Sequence, residues 1–408
     1  MAIIKVISFG LQFIIISQAF SSTNFTKIVE TMTSNDSNLK SYSNQIQKDQ
    51  RKKQLSYLNY LPNLYLNGFK DFNETIESKY YSINSNLNVF NGGRDILNNK
   101  ISSTNLKYSQ VNYQNQLLIS QEKMSSILFK YINYSNIVEI YKKLLLIEKK
   151  SYKSASALYK NGQISKEKLL QADIDLQQTQ NNYDSQIIQL QTAEEDVKNY
   201  LKIETKIKLQ WPWKVNSISK KTFNLSYSEN LPQIKTHFLT LKSYKQAKLS
   251  QYSNFLPIAS LNYSKTTDFN KTSFYNDMSL SLNLSWNLFD KRKDSSEIYF
   301  QKLEILNQKN YLNEQINKTK TALRSLKRKI KLNISTVKNS NKTMKLTQQL
   351  YNKNYKRFLQ GHISTNDFKM DKTRLLESLL NLNQSRYALH LSIIKICREI
   401  GKTLADCL

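Results

Sequence analysis

The side chains that most often carry chemistry are few and scattered in this chain of 408 residues. His237, His362 and His390 lie too far apart for the short ligand spacing that a metal site requires. The sequence has no glycine-rich phosphate loop and no strand-turn-helix motif around a nucleophilic serine. These residues therefore predict no enzyme activity, no cofactor and no metal, and they favour a solvated turn as the place of His362.

Two carboxylates form the most suggestive cluster. Asp367 and Asp371 are one helical turn apart, so on a helix they share a face. As two like charges brought close together at a binding surface they would repel each other and favour cations. As an ordinary acidic pair in a first turn they would suit the helix dipole. The sequence leaves both interpretations open.

The N-terminal segment indicates export. Residues 1–19 have the pattern of a signal peptide, with Lys5, an apolar stretch over 6–16 and small residues at Ser17 and Ala19. No later stretch is apolar enough for a spanning helix, so we expect any entry into a membrane to use strands. The two cysteines, Cys397 and Cys407, fit either a disulfide formed outside the cytoplasm or two incidental thiols.

The net charge of +29 has two interpretations. It fits an anionic partner, such as nucleic acid or a charged membrane. It also fits a compositional bias that spreads lysine over solvated helix faces. We favour the second and predict no nucleic-acid partner, because no basic run is set in a nucleic-acid motif and the densest run, 318–331, lies inside a heptad helix.

The elements that position these residues come from an internal duplication. The segment 159–165 (Tyr-Lys-Asn-Gly-Gln-Ile-Ser) returns 199 residues later as 358–364 (Phe-Leu-Gln-Gly-His-Ile-Ser). Apolar residues recur every seventh position on both sides of each copy, and every one stays apolar after the shift. In the first half these positions are Leu117, Met124, Tyr131, Val138, Leu145, Tyr152, Tyr159, Leu169, Leu176, Tyr183, Leu190 and Val197.

A seven-residue apolar repeat predicts coiled-coil helices. Glycine after one helix and serine before the next are stop and start signals, because glycine accepts the left-handed turn and serine caps free amides. Each half therefore predicts a long antiparallel helical hairpin, with tips near 162 and 361. The division is 20–203 for the first repeat, 204–228 for a linker containing Trp211 and Trp213, and 229–408 for the second repeat.

Each half also contains two segments with period-two alternation, at about 61–70, 80–90, 256–265 and 278–289. One face of these strands is apolar and the other carries asparagine and serine. A soluble sheet on a core would show this pattern, and so would a membrane barrel. Strands of about ten residues with aromatic ends favour the barrel. The predicted lipid-facing residues are Ile83, Leu87, Val89, Leu280, Leu282, Leu284 and Trp286.

Four strands are too few to close a barrel, which needs about eight. Open sheet edges are not tolerated in lipid. The barrel must therefore be shared between copies of the chain, although this argument does not fix their number. The fold class predicted is mainly α, with a transmembrane β portion.

In the order of these elements the sequence resembles the TolC-type outer-membrane efflux protein family. The resemblance rests on the Leu-Pro strand starts at 61 and 256, the strand exit Asn88–Arg94 and the paired Gly-x-x-Ser tips, and it covers nearly the whole mature chain. It implies a homotrimer whose strands form a twelve-stranded barrel and whose hairpins form an α-barrel through the periplasm. It also implies two partners, a periplasmic adaptor and an inner-membrane transporter, and location in the outer membrane of a diderm bacterium.

The resemblance also assigns roles to the tips. It implies adaptor docking by six tip residues: Gly162, Ile164, Ser165, Gly361, Ile363 and Ser364. It implies gating of the tunnel end by four more: Tyr159, Phe358, Asp367 and Asp371. The family pattern is incomplete here, because Lys168 replaces the acidic residue in the first repeat and Ile363 stands where an arginine is expected.

Three functions follow from these observations. The first is a passive exit duct for efflux or type I secretion, which is opened and powered by its partners. The second is a secreted coiled-coil scaffold or adhesin with a soluble sheet. The third, which rests on charge alone, is nucleic-acid binding.

Overall fold

The structure is a computed structural model, which describes residues 22–70, 79–203, 209–213, 227–268, 276–360 and 362–407. The predicted signal peptide, the predicted loop over 71–79 except its last residue, most of the predicted linker and Gly361 lie outside these ranges. The elements in chain order are α1 (Ser22–Ser34), α2 (Ser37–Leu58), β1 (Asn63–Lys70), β2 (Lys79–Asn91), α3 (Arg94–Lys160), α4 (Lys166–Leu201), α5 (Pro232–Gln251), β3 (Ile258–Asp268), β4 (Asn276–Ser285), α6 (Lys293–Leu359), α7 (Thr365–Glu399) and α8 (Leu404–Cys407).

The chain forms two compact units, and each unit draws on both sequence repeats. The first, the helical unit, contains residues 1–40, 117–227 and 319–408. The second, the sheet unit, contains 41–116 and 228–318. The boundaries of the two units therefore do not coincide with the boundary between the two sequence repeats.

The predicted hairpins are confirmed. Helices α3 and α6 have 67 residues each and begin and end at positions that are 199 residues apart. Such lengths are possible because the chain has only 7 glycines and 4 prolines to interrupt a helix. The heptad positions supply the buried face, as Leu323, Ile330 and Val337 of α6 show.

The core of the helical unit is an aromatic cluster around the last long helix. His390 of α7 is 1% exposed and stacks on the ring of Trp211 at 4.6 Å between centroids. Trp213 and Phe129 contact the same imidazole at 5.5 and 5.3 Å. The Trp-Pro-Trp segment of the linker thus packs on the helices. Burial lowers the pKa of His390 to about 4.

The sheet unit contains one antiparallel sheet with the strand order β1-β2-β3-β4. Its central pair, β2 on β3, joins the two sequence repeats, with Asn86 opposite Asn262. A bulge at Val89 shifts the register, so that Phe90 lies opposite Ala259 and takes the face that Leu87 occupies. Strict alternation from the sequence placed Val89 on that face and did not include Phe90.

Strand β4 ends at Ser285, four residues before its predicted end. The indole of Trp286 donates a hydrogen bond to the carbonyl oxygen of Phe255 at 3.1 Å instead of continuing the ladder. Lys291 and Arg292 then take left-handed φ values of 58° and 66°, which turn the chain into α6.

The exit of β2 is fixed by a close approach of two turns. Gly92 has a φ of 61°, and a Cβ at this residue would lie 2.4 Å from the carbonyl oxygen of Ser253. Arg94 donates hydrogen bonds to the side chains of Ser253 and Asn254. Only glycine fits this position, which explains the Gly-Gly strand ending.

Two further features concern the apolarity of the helices and the pairing of the cysteines. In the described part of the chain, none of the helices has the length and apolarity needed to cross a bilayer. Cys397 and Cys407 form a disulfide that ties α8 to the end of α7. This pairing resolves the two interpretations of the cysteines that the sequence left open.

Candidate functional site: the hairpin tips and the apolar sheet face

The first tip is built by the backbone of one turn. Gly162 has a φ of 69°, its amide donates to the carbonyl of Tyr159, and the amide of Gln163 donates to the carbonyl of Leu158, both at 2.9 Å. This pair of bonds is the Schellman ending of a helix. Gly162 and Ser165 are exposed and Ile164 is half-buried.

The second tip repeats the turn but differs in its cap. The backbone amide of His362 donates to the carbonyl of Arg357 at 2.9 Å. This bond is equivalent to that of the Gln163 amide, 199 residues earlier. The hydroxyl of Ser364 accepts from the amide of Asp367 at 3.1 Å and donates to the Asp367 carboxylate at 2.7 Å. Ser165 makes no side-chain cap bond, contrary to the prediction that both serines cap. The partner carboxylate is absent because Lys168 stands in its place.

The aromatic residues at the two tips have different surroundings. Tyr159 is 40% exposed. Phe358 stacks on Phe368 at 4.6 Å, in a small core with Tyr351 and Leu375 against which Ile363 also packs. Burial raises the pKa of Tyr351 to about 12. Phe358 and Ile363 therefore already have a packing role within the chain.

The two carboxylates of the second tip are also different. Asp367 is exposed, and its carboxylate accepts a hydrogen bond from the hydroxyl of the N-cap residue Ser364. Asp371 is 6% exposed and accepts a hydrogen bond of 2.6 Å from the side-chain amide of Asn354. The structure thus does not present the two groups as one exposed acidic pair, because only Asp367 faces solvent.

Two ion pairs link the hairpins near the tips, and the sequence did not reveal them. Lys372 of α7 lies 2.8 Å from both carboxylate oxygens of Glu148 on α3, and both side chains are buried. Lys369 lies 2.7 Å from Asp175 on α4. A signal was present, since Glu148 is three residues after Leu145 and Lys372 four after Phe368, spacings that place a charge on the apolar face.

The sheet unit holds the second candidate site, its apolar face. Leu282 of β4 lies opposite Leu261, which lies opposite Leu87 of β2, and Ile83 lies opposite Leu66 of β1. On β4 the apolar side chains are 64–72% exposed. The other face carries the polar ladder, in which the amide of Asn86 donates to the side-chain oxygen of Asn262. The predicted lipid-facing residues within the strands that are more than one-third exposed are Ile83, Val89, Leu280, Leu282 and Leu284.

Over the described ranges, no group of three histidine, cysteine or acidic side chains is arranged to hold a metal ion. What the geometry offers is two exposed turns, a set of charged links between helices and an exposed apolar sheet.

Comparison with known proteins found similarity at the level of structure alone. No family model matches the sequence, and no curated protein matches it. The channel CusC superposes with a TM-score of 0.81 at 13% identity, over 95% of this chain and 96% of CusC. The Vibrio cholerae outer-membrane protein VceC gives 0.77 at 10% identity, over 93% and 96%. The Campylobacter jejuni outer-membrane channel CmeC gives 0.76 at 16% identity, over 93% and 85%.

These superpositions extend over nearly the full length of both chains. The protein therefore has the fold of these outer-membrane channels, with long duplicated hairpins and a four-stranded sheet. The predicted fold is confirmed.

Proposed function

We propose that this chain is one copy of an outer-membrane exit duct for efflux or type I secretion. The observation that carries the proposal is the sheet whose apolar face is exposed along β4 and whose opposite face is an asparagine and serine ladder. In water, the large side chains of that face would be solvated at a free-energy cost of roughly 25 cal/mol for each Å² of apolar surface. Lipid removes this cost, and the shared fold with outer-membrane channels supports the same placement.

Closing the sheet requires more than one copy, and the number three is the one that the resemblance to the TolC-type family implies. A four-stranded sheet has two open edges, which lipid does not tolerate. A homotrimer would supply twelve strands, above the minimum of about eight for a barrel. The hairpins would then form the α-barrel through the periplasm, and the polar ladder would face the water-filled interior.

The duct itself is passive in this proposal. The tip residues Gly162, Ile164, Ser165, Gly361, Ile363 and Ser364 would dock a periplasmic adaptor, which couples the duct to an inner-membrane transporter. Tyr159, Phe358, Asp367 and Asp371 would belong to the region that opens. The links Lys372–Glu148 and Lys369–Asp175 support this assignment, because they join the hairpins at that end and would have to loosen if the hairpins separate.

Cell fractionation tests the location. The full chain, expressed in a diderm bacterium, is expected in the outer-membrane fraction and to require detergent for extraction. Recovery from the inner membrane or the cytosol would end the proposal. Water-soluble monomers with intact strands would instead favour the secreted scaffold.

A pair of substitutions tests the two faces of the sheet. Leu282→Lys is expected to block membrane assembly, because a lysine facing lipid near the bilayer midplane costs about 2–4 kcal/mol. Asn283→Lys, on the water-facing side of the same strand, is expected to assemble. The measurement is the outer-membrane yield of each variant. Equal yields would mean that the faces are assigned wrongly.

A further inference from the structure

Charge is segregated between two helices of the helical unit. From Gln315 to Leu359, α6 contains 13 lysines and arginines and no acidic residue. Between Lys168 and Lys198, α4 contains 6 acidic residues and no basic one. A general lysine bias explains a basic helix but not the long segment of α4 between Lys168 and Lys198 that contains no lysine. The segregation therefore calls for a structural reason.

The contacts within the unit place these two helices at the ends of a row. Helix α6 packs on α7 through bonds such as Asn354 to Asp371. Helix α7 packs on α3, where Asn383 donates to Asn133 at 2.7 Å in a buried pair. Helix α3 forms the first hairpin with α4. Near the tips, Lys369 of α7 also reaches Asp175 of α4.

Both outer helices keep an exposed apolar column beside their charges. On α6 the column is Leu332, Leu346 and Leu350, which are 65%, 55% and 42% exposed. On α4 it is Leu170, Ile174 and Ile188, which are 52%, 49% and 60% exposed. Surface leucines alone need no explanation, but columns of three on both outer helices are interaction candidates.

The two columns have the same spacing in opposite directions. Leu350 and Leu346 are four residues apart and Leu332 lies fourteen further on; Leu170, Ile174 and Ile188 repeat these steps. Helix α6 runs towards its tip and α4 runs away from its tip, so antiparallel neighbours would match all three pairs at once. Each α6 residue is three positions farther from Gly361 than its α4 counterpart is from Gly162, an offset of about 4.5 Å.

We propose that the basic edge of α6 in one copy packs along the acidic edge of α4 in the next copy. This inference rests on the proposed function, which requires several copies, and it names the helices and the register that join them. The pairs Leu350 with Leu170, Leu346 with Ile174, and Leu332 with Ile188 form the apolar strip. Arg324 then lies one residue from the level of Glu195, and Lys338 two residues from that of Asp184.

The chemistry of the two edges determines the kind of assembly. Because the two edges differ, the contact is heterologous and repeats head to tail until a ring closes. Opposite charges steer the correct edges together and penalise pairing of like edges, which would bring two strongly basic helices into contact. The occupant of each edge is therefore a second copy of this chain, rather than the adaptor or an anionic cargo.

Disulfide crosslinking tests the register directly. The full chain carrying Leu346→Cys and Ile174→Cys is oxidised in outer membranes and separated without reducing agent. The expected result is crosslinked dimers and trimers. The matched control carries Leu346→Cys with Leu146→Cys, an equally exposed leucine on α3, and is expected to stay uncrosslinked. Crosslinks of equal yield in both, or in neither, would overturn the pairing.

Charge reversal with rescue tests the electrostatic part. Asp184→Lys with Glu195→Lys is expected to lower the oligomer fraction in mild detergent about tenfold at low salt, because repulsion replaces attraction at every junction. The control, Glu139→Lys with Glu377→Lys, makes the same charge change at exposed positions on α3 and α7 and should leave the fraction unchanged. Adding Arg324→Glu and Lys338→Glu to the first variant should restore it.

The outcomes separate this inference from the proposed function. A wild-type protein that forms no oligomer in membrane extracts would overturn the proposed duct and this interface together. A wild-type oligomer that tolerates the reversal, or that is not rescued, would overturn only the α6–α4 pairing and would favour the adaptor or an anionic cargo as the occupant.

Discussion

The two hairpin tips share one backbone hydrogen bond but differ in their side-chain attachments. In both, an amide closes a bond of 2.9 Å to the carbonyl five residues earlier. At the second tip, the Ser364 hydroxyl caps the amide of Asp367 and donates to its carboxylate, Phe358 stacks on Phe368, and Lys372 pairs with Glu148 of the first hairpin. At the first tip, Ser165 has no side-chain cap bond and Tyr159 is 40% exposed.

This difference shows which features a duplication preserves. Heptad spacing and the glycine turn are needed by any hairpin, so both copies retain them. Packing and pairing depend on the neighbours of each copy, and these differ once two copies lie side by side. We infer that the second hairpin consolidates the helical unit, while the first presents the more open surface.

The largest expected effect comes from breaking the buried ion pair. Lys372→Met leaves the Glu148 carboxylate buried without its partner and should destabilise the protein by about 3–5 kcal/mol. The equivalent position in the first repeat is Asp173, and Asp173→Asn should change stability by less than about 0.5 kcal/mol. Thermal unfolding followed by helical circular dichroism measures both. Equal losses of stability in the two variants would mean that both hairpins contribute equally to the stability of the helical unit.

A double substitution sharpens this result. Lys372→Met with Glu148→Leu removes both charges and fills the space with apolar atoms. Because the desolvation cost of the pair disappears along with its attraction, most of the stability should return. A loss as large as that of Lys372→Met alone would attribute the effect to packing.

The second effect is a dependence on pH. His390 takes a proton below about 6.5 in the unfolded chain but only near 4 in the folded one, because burial excludes the charged form. The contribution of neutral His390 to the free energy of unfolding is complete above pH 6.5. It is lost as the pH falls towards 4, by up to about 3 kcal/mol. Nearby Arg386 carries a positive charge and adds to this penalty.

The first repeat offers the matched variant, because Gln191 stands at the position equivalent to His390. His390→Gln should flatten the fall of the melting temperature between pH 6.5 and 4.5, measured against the wild-type protein in the same buffers. A wild-type slope that survives this change would have to come from carboxylates.

The third effect concerns the aromatic residues at the tips. Phe358→Ala removes a half-buried ring from a stacked pair and should cost about 1–3 kcal/mol. Tyr159→Ala removes an exposed ring and should cost less than about 0.5 kcal/mol. Limited proteolysis near each tip reports the local loosening. A larger effect at Tyr159 would reverse the assignment of the open hairpin.

The smallest effect is expected at the caps. Ser364→Ala removes an acceptor from the Asp367 amide and should cost about 1 kcal/mol. Ser165→Ala removes no cap bond and should be nearly neutral. Conversely, Lys168→Asp would give the first tip the residue that the second one uses, and a rise in melting temperature is expected.

Much of the fold could be predicted because it follows from local periodicity. The heptads gave α3 and α6, the period-two segments gave the four strands, and glycine with serine marked the turns. The bulge at Val89 could not be predicted in this way, because it depends on where β2 meets β3 rather than on either strand alone.

The candidate sites were predicted less completely, for the same physical reason. Glu148 and Lys372 are more than two hundred residues apart, and nothing local states that their helices become neighbours. The cap at Ser364 was visible as serine followed three residues later by aspartate, but the same expectation for Ser165 ignored Lys168. The elements of the fold can be predicted from local repeating patterns, whereas the site contacts depend on which elements become neighbours.

The pairing of β2 with β3 has a consequence for how the strand wall is assembled. If a neighbouring copy of the proposed duct pairs in the same way, the register that puts Asn86 opposite Asn262 also puts Ser285 opposite Asn67 of that copy. In the proposed duct, the chain would thus contain one finished example of the junction that it makes with its neighbours. In such a duct, every second junction would form within one molecule, because the two repeats are covalently linked and meet at an effective concentration in the millimolar range. Only the alternate junctions would require the encounter of separate molecules.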